Sequence, residues 1–457
     1  MQNTTFLNTC LLTLTLTLAL ASTGLAQAAV APDQAARLKT DLTPFGAERA
    51  ANADGSIPAW QGGYTQVAPG YKPGDKRPDP FAGEKPLYAI KASNIEQYAG
   101  ELAEGTKLLL KKYPDYRLDV YPTHRSAAAP QWVYDNTGKN ATRATLDVDS
   151  EKVSNAYGGI PFPIPENGAQ VLWNYRLSWQ GGDTISSPFD TWLMTAGGKK
   201  VQATRAQYTY QFPYYVEGGS PENYSGKYLL GKLFTELPSS KAGEGLMTHW
   251  DLDPANRAAW QYLVGQRRVR RAPNIAYDTP DFVTSGVGLF DEAFMLFGPT
   301  DRYDLKLVGK KELMVPYNNN RAALAKSDDL VRVNFLNPDL VRWEKHRVWV
   351  VEATLKSGKR HVVPRRTYYV DEDSWQILMA DGYDAQGKLG RQMYSLTLLA
   401  PDLPALTAQV MWGSYNLDTG AYFLNSSSND LAVQYQKVAK PSASYFTPDA
   451  MANENMR

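Results

Sequence analysis

Residues 347–425 constrain the fold more tightly than any other stretch of this 457-residue chain. Segments 347–355, 360–370, 375–380, 391–399, 409–417 and 421–425 are rich in β-branched and aromatic residues. Short turn-forming groups separate most of them: Ser357 and Gly358, Asp371 to Asp373, Asp384 to Gly387, and Asp418 to Gly420. Segments this close in sequence pair antiparallel with their neighbours, because a parallel return needs a long crossover. The pattern therefore predicts a meander, rolled into a strongly curved sheet or an open barrel. Upstream, Val171, Trp173, Tyr175, Leu177 and Trp179 alternate with Asn174, Arg176 and Ser178, which reads as a half-buried strand ending at Gly181 and Gly182. Tyr208, Tyr210 and Phe212 repeat that alternation. Residues 221–237 read as loop with a helix at 228–234. Twenty-eight Tyr and 11 Trp, with 35 Gly and 29 Pro, suit a strand-rich fold with many turns.

The N-terminal part differs. Residues 1–28 read as a secretory signal peptide: 11–21 is an apolar and threonine run, and Ala26, Gln27 and Ala28 form an A-x-A cleavage site. Cys10, the single cysteine, falls within it, so the mature chain is expected to be exported and free of disulfides. Residues 29–135 form an N-terminal extension with one amphipathic helix at about 94–112. Ser93 to Glu96 supplies a capping-box pattern there, Ile95, Tyr98, Leu102 and Leu109 supply the apolar stripe, and Pro114 closes it. Residues 136–457 are expected to be the curved sheet, continuous with the extension.

Several chemistries find no motif. Lys+Arg 48 against Asp+Glu 47 leaves no basic excess for nucleic acid. His124, His249, His346 and His361 stand in no zinc-binding spacing, although His346 and His361 could meet across a 347–370 hairpin. Asn52 to Gly55 lacks the ligand spacing of a calcium loop. G-x-S-x-G and P-loop patterns are missing from the sequence. No metal and no cofactor are expected. Asp371, Glu372 and Asp373 keep open a hydrolase acting on lipid or sugar. A protein-binding scaffold in an envelope complex is the third reading.

One stretch stands apart. Gln266 to Arg271 holds Arg267, Arg268, Arg270 and Arg271 around Val269. On a strand, neither face of it would be apolar. An arginine turned inward needs a carboxylate partner, and Asp278, Asp281, Asp291 and Glu292 lie just downstream. One reading is a polar latch that holds a segment over a cavity; the other is a basic strand on a solvated sheet. Trp260, Tyr262, Phe282, Phe290 and Phe294 would line the trough or its lid. A single antiparallel layer with aromatics on its inner face has little to pack against, which suits an apolar ligand.

Longer motifs carry a resemblance. Leu42 to Glu48 with Asn52 to Trp60, Tyr157 to Pro163, Gln266 to Pro273, Trp343 to Glu352 and Tyr369 to Trp375 resemble the DUF1329 family, which is similar in fold to the LolA/LolB-type outer-membrane lipoprotein-sorting carriers. The resemblance implies a mainly β (α+β) protein with an incomplete β-barrel and a helical lid. It further implies a periplasmic carrier of lipid or another hydrophobic molecule. Its partners would be an inner-membrane resistance-nodulation-division (RND) type transporter and an outer-membrane component, and it would not be an enzyme. It also puts arginines of the 266–271 stretch near the lid.

Overall fold

The computed structural model describes residues 30–272 and 277–454. The signal-peptide reading of 1–28 and the motif residue Pro273 lie outside them. Among the described residues, no helix is long and apolar enough to cross a membrane.

Sixteen strands form one sheet, thirteen of them in two antiparallel meanders; Tyr88–Ile90, Leu118–Val120 and Gln436–Lys437 are added to it. The first runs through Thr184–Met194, Lys200–Gln211, Lys227–Leu237, Gly245–Asp251, Ala258–Leu263 and Arg268–Arg271. The second runs through Tyr303–Pro316, Trp343–Leu355, Arg365–Asp371, Ile377–Tyr383, Leu389–Ser395, Trp412–Asn416 and Tyr422–Ser427. The last strand of the second pairs with the first strand of the first, Tyr422 opposite Met194 and Leu424 opposite Trp192. Arg268–Arg271 ends the first meander and Tyr303–Pro316 pairs only with Trp343–Leu355; the two do not pair with each other, so the barrel is incomplete. The turn-punctuated 347–425 region forms the meander its sequence predicts, except that the strand expected at 391–399 divides: Leu389–Ser395 stays in the sheet and Leu398–Ala400 pairs with Ala405–Thr407 in a separate ribbon.

The sheet must curl, because one short helix bridges strands far apart in its order. Gly168 lies against Val351 and Leu305, and five residues later Trp173 meets the ring of Tyr228 at 5.8 Å. Five helical residues advance about 8 Å. Strands Trp343–Leu355 and Lys227–Leu237 are eight places apart in the pairing order, roughly 38 Å on a flat sheet. The inner face is filled by a single apolar cluster that includes Trp173, Tyr208, Tyr210, Phe290, Trp412 and Phe423, together with Phe45, Ile90, Leu109 and Leu118 from the N-terminal region.

Three local expectations are overturned. Val171 to Trp179 is no strand: Gly168–Arg176 is an α-helix, with Asn167 Oδ1 accepting from the Gln170 N–H at 2.9 Å. Eight of its nine residues are buried, and Asn174 is satisfied by both backbone groups of Phe162. A helix buried all round loses the 3.6-residue stripe, and its composition then mimics alternation. Residues 228–234 lie in strand Lys227–Leu237 rather than a helix; they pair on both sides, which overrides their weak helical spacing. The helix at 94–112 is two pieces, a 3-10 helix Ala92–Glu101 and an α-helix Glu104–Lys112. Between them Leu102 and Ala103 are extended and buried in the core.

The break seats Gly105, whose N–H donates to Asp381 Oδ1 at 3.1 Å. A Cβ there would stand 2.4 Å from that oxygen and 2.7 Å from Gln392 Cβ. Gly105→Ala should therefore lower the urea midpoint by the equivalent of about 1–3 kcal/mol; an unchanged midpoint would show that the helix is not seated this tightly.

Candidate lid and its ionic latch

The chain leaves the first meander at one free edge and enters the second at the other. Residues 277–302 therefore have to cross the open side of the curled sheet. They fold as a compact loop: Asp281 N–H to Gly288 O at 2.9 Å, Phe290 N–H to Thr279 O at 2.8 Å and Asp291 N–H to Tyr277 O at 3.0 Å. The 3-10 turn Phe290–Met295 follows.

The turn drives aromatic side chains into the sheet. The Phe294 ring lies 6.0 Å from Tyr208, 5.8 Å from Tyr210 and 5.6 Å from Trp412, touching both meanders. Phe297 stacks edge-on with Phe290 at 5.7 Å and with Trp250 at 5.0 Å. Phe294 and Met295 adopt left-handed backbone, φ 51° and 75°, without being glycine. Such conformations cost on the order of 1 kcal/mol or more each and persist only where surrounding contacts enforce them. One enforcing contact is the Tyr175 hydroxyl, which donates to the Phe294 carbonyl.

The stronger one is ionic. Arg366, on strand Arg365–Asp371, is 3 % exposed. Its Nη1 donates to Asp291 Oδ2 at 2.7 Å, and its Nη2 lies 3.2 Å from Asp291 Oδ1 and 3.4 Å from Glu292 Oε1. Arg391 Nη1 donates to Glu292 Oε2 at 2.5 Å. The Val363 N–H donates to His361 Nδ1 at 2.9 Å, which leaves the ring proton on Nε2 to reach Asp291 Oδ2 at 3.1 Å. Burial alone would raise the Asp291 carboxyl, but Arg366 and His361 outweigh it and hold the group below its ordinary range.

The latch foreseen for Arg267, Arg268, Arg270 and Arg271 is therefore made from the opposite meander. All four of those arginines are exposed, and Arg267 precedes the edge strand in a left-handed turn. Arg268, Arg270 and Arg271 form the basic strand at the solvated end of the sheet, and it is Val269 between them that packs against Tyr262 and its apolar neighbours. Trp260 and Tyr262 do not line the trough. Trp260 pairs with Met247, whose face is opposite to that of Trp250, and both pack with Tyr445, Phe446 and Met451 of the C-terminal segment. Phe282, Phe290 and Phe294 do sit in the crossing segment against the main core. Asp278 Oδ2 accepts from the Val362 N–H at 3.1 Å. Asp281 accepts from the Val283 N–H at 3.0 Å, and burial pushes its carboxyl up to about 6. His346 and His361 do not meet across the hairpin: His346 stacks on Tyr317, while His361 belongs to the latch.

Arg366 was legible in part, since Arg366, Tyr368 and Val370 share one face of an otherwise apolar strand. An arginine on that face must be paired. Nothing in the sequence joins it to Asp291, 75 residues away.

Among the described residues, His346, Asp371 and Asp373 could hold a metal, each offering a donor atom within 4.8 Å of the others. The surroundings fit poorly. Arg125 takes both oxygens of Asp373, at 2.8 and 2.7 Å, and His346 Nε2 is committed to Glu344 at 2.9 Å. A cation would face the Arg125 guanidinium. Asp371 is buried and accepts from the Tyr317 and Ser374 hydroxyls, and Glu372 and Asp373 are buried in ion pairs, so none of the three is presented in an exposed cleft.

These features define an open-sheet protein whose connecting segment is latched into its own trough. A model of a protein family of unknown function, DUF1329, matches residues 89–452, and the chain belongs to that family. It is 37% identical to uncharacterized protein PA3922 of Pseudomonas aeruginosa over 441 residues, 94% of this chain and 95% of that one. Among solved structures, it is similar to a domain described as an outer membrane lipoprotein-sorting protein from Vibrio parahaemolyticus, at 12% identity and a TM-score of 0.43, covering 62% of this chain and 98% of that one. It is also similar to a DUF1329 family protein from Desulfovibrio piger, at 16% identity and a TM-score of 0.39, covering 59% and 91%.

Two outcomes follow for the lid. Arg366→Met leaves Asp291 buried without its main partner, a loss of about 3–5 kcal/mol. Hydrogen exchange at 278–297 should accelerate before that of the strands; uniform acceleration would show that the latch holds the whole fold and not the lid. For Asp281, the folded carboxyl binds its proton more tightly than the unfolded one. The lid is therefore penalised above about pH 6 and gains stability as pH falls through about 6 towards 4. Asp281→Asn should raise stability at pH 7 by on the order of 2 kcal/mol and flatten that pH dependence, read from thermal melts at pH 4.5 and 7.

Proposed function

We propose that the protein is a non-enzymatic carrier that takes a lipid or other hydrophobic molecule into the trough now filled by its own lid. The observation that carries this is the plug itself: Phe290, Phe294 and Phe297 occupy the inner face of an unclosed sheet. Phe294 and the adjoining Met295 do so on strained backbone, and the segment is held by a discrete ionic latch. A segment that must leave and return gains from both, because the strain released on opening offsets part of the cost of breaking the latch. The ligand would replace the phenyl rings against Tyr208, Tyr210 and Trp412.

The setting of this reading is the periplasm, supported by the apolar run and A-x-A site of residues 1–28 and by the lack of cysteine after Cys10. An RND-type inner-membrane transporter and an outer-membrane acceptor are the partners the family resemblance suggests for such a carrier.

Uptake of the neutral probe N-phenyl-1-naphthylamine tests it. The mature protein should bind the probe saturably, and Phe294→Ala should bind it about tenfold more tightly, since part of the closed lid's stability is removed. Protein from an exporting host should also release a lipid of defined mass on solvent extraction. Protein that is empty and gives no saturable probe binding would end the carrier reading.

A further inference from the structure

The inner face of the first meander is apolar except at one point beneath the lid. Strands Lys200–Gln211, Lys227–Leu237 and Gly245–Asp251 are consecutive there, and their register puts Tyr210, Gly231 and Thr248 in one row across them. Tyr208, two residues from Tyr210, shares that face. It is the inner face, because Phe294 of the lid packs on both tyrosines. The place of the missing side chain at Gly231 is taken from both sides: a Cβ there would stand 2.6 Å from the Tyr208 hydroxyl and 2.9 Å from Thr248 Oγ1. Tyr208 therefore lies across the glycine and brings its hydroxyl to Thr248 on the third strand. A glycine inside a strand marks this kind of close approach.

Thr248 is fully buried, and its Oγ1 has no hydrogen-bond partner among the described residues. Buried hydroxyls are nearly always bonded, and one that is not carries a desolvation cost. The lid rings touch down on either side of it. Phe294 meets Tyr208 at 6.0 Å, and Phe297 meets Trp250, two residues further along the strand of Thr248, at 5.0 Å. The two rings are 5.7 Å apart. The hydroxyl thus lies between two phenyl groups that give it no acceptor oxygen.

We propose that the hydroxyls of Thr248 and Tyr208 receive the carbonyl oxygen of an acyl ester when the lid rings withdraw. The inference rests on the carrier reading and names its ligand class: acyl esters rather than bare hydrocarbons. A carbonyl oxygen has two lone pairs, and each hydroxyl can turn its proton to one of them. The acyl chain then runs over Tyr210 and Trp412, where the Phe294 ring now packs.

The test compares methyl decanoate with decyl methyl ether, which lacks the carbonyl, each displacing N-phenyl-1-naphthylamine from the full mature protein. Wild type should bind the ester about tenfold more tightly. Thr248→Val, which keeps the shape and removes the hydroxyl, should bring the ratio to near unity, and Tyr208→Phe should lower it. Thr235→Val is the control. It removes another unpartnered buried hydroxyl of the same strand face, four residues from Gly231, and should leave the ratio unchanged. The infrared carbonyl band of bound carbon-13-labelled ester should lie below its position in hexane and return to it in Thr248→Val. Without ligand, Thr248→Val should melt at or above the wild-type temperature, since the hydroxyl it removes is unpartnered; a lower one would show that the closed protein already uses that hydroxyl, and overturns the proposal. Equal affinities in wild type, a preference that survives in folded Thr248→Val, or a band at its hexane position overturns the carbonyl site while leaving the carrier intact. Failure of wild type to bind the probe or either compound overturns both.

Discussion

Arg366 has no route to water, and everything on the open side of the sheet follows from that. A guanidinium buried at the inner face of a strand must be met by anions, and the only elements free to deliver them are those that cross the opening. Asp291 and Glu292 are delivered by the one segment whose path is dictated by topology. The connection between two edge strands has to pass over the trough, so the latch and the lid are one object.

The same arrangement divides the molecule into parts of unequal permanence. The strands are held by long backbone ladders and by aromatic contacts such as Tyr208 on Tyr210, stacked at 3.9 Å. The crossing segment is held by a few ionic and ring contacts and carries left-handed residues. Its buried Asp281 weakens its packing at neutral pH, whereas the ion pairs of Asp291 strengthen it. Local opening energies differ between such parts, and ligand-binding elements are drawn from the weaker ones.

The meander was legible because turn residues and two-residue periodicity say the same thing from Arg347 to Asn425. Helix Gly168–Arg176 was not, because burial on every side erases the periodicity that marks a helix. The two-piece form of 92–112 turned on a tertiary contact, Gly105 against Asp381, that no local signal announces. The need for a latch was readable from paired charges; its members were not, since Asp291 meets an arginine from the second meander rather than the basic run beside it. Trp260 and Tyr262 pointed to the wrong face because alternation fixes which residues share a side but not which side is inner.

An unclosed sheet also leaves two rows of unpaired backbone groups, and in a chain this rich in strands that invites growth from one molecule to the next. One edge ends in exposed Arg268, Arg270 and Arg271. The other, Tyr303–Pro316, carries Lys306, Lys310 and Lys311 and a bulge between Leu307 and Gly309. Like charges on both borders, and a broken register on the second, oppose edge-to-edge pairing between copies. The basic run thus has a task even without touching the trough: it lets a protein keep its barrel open without polymerising through the gap.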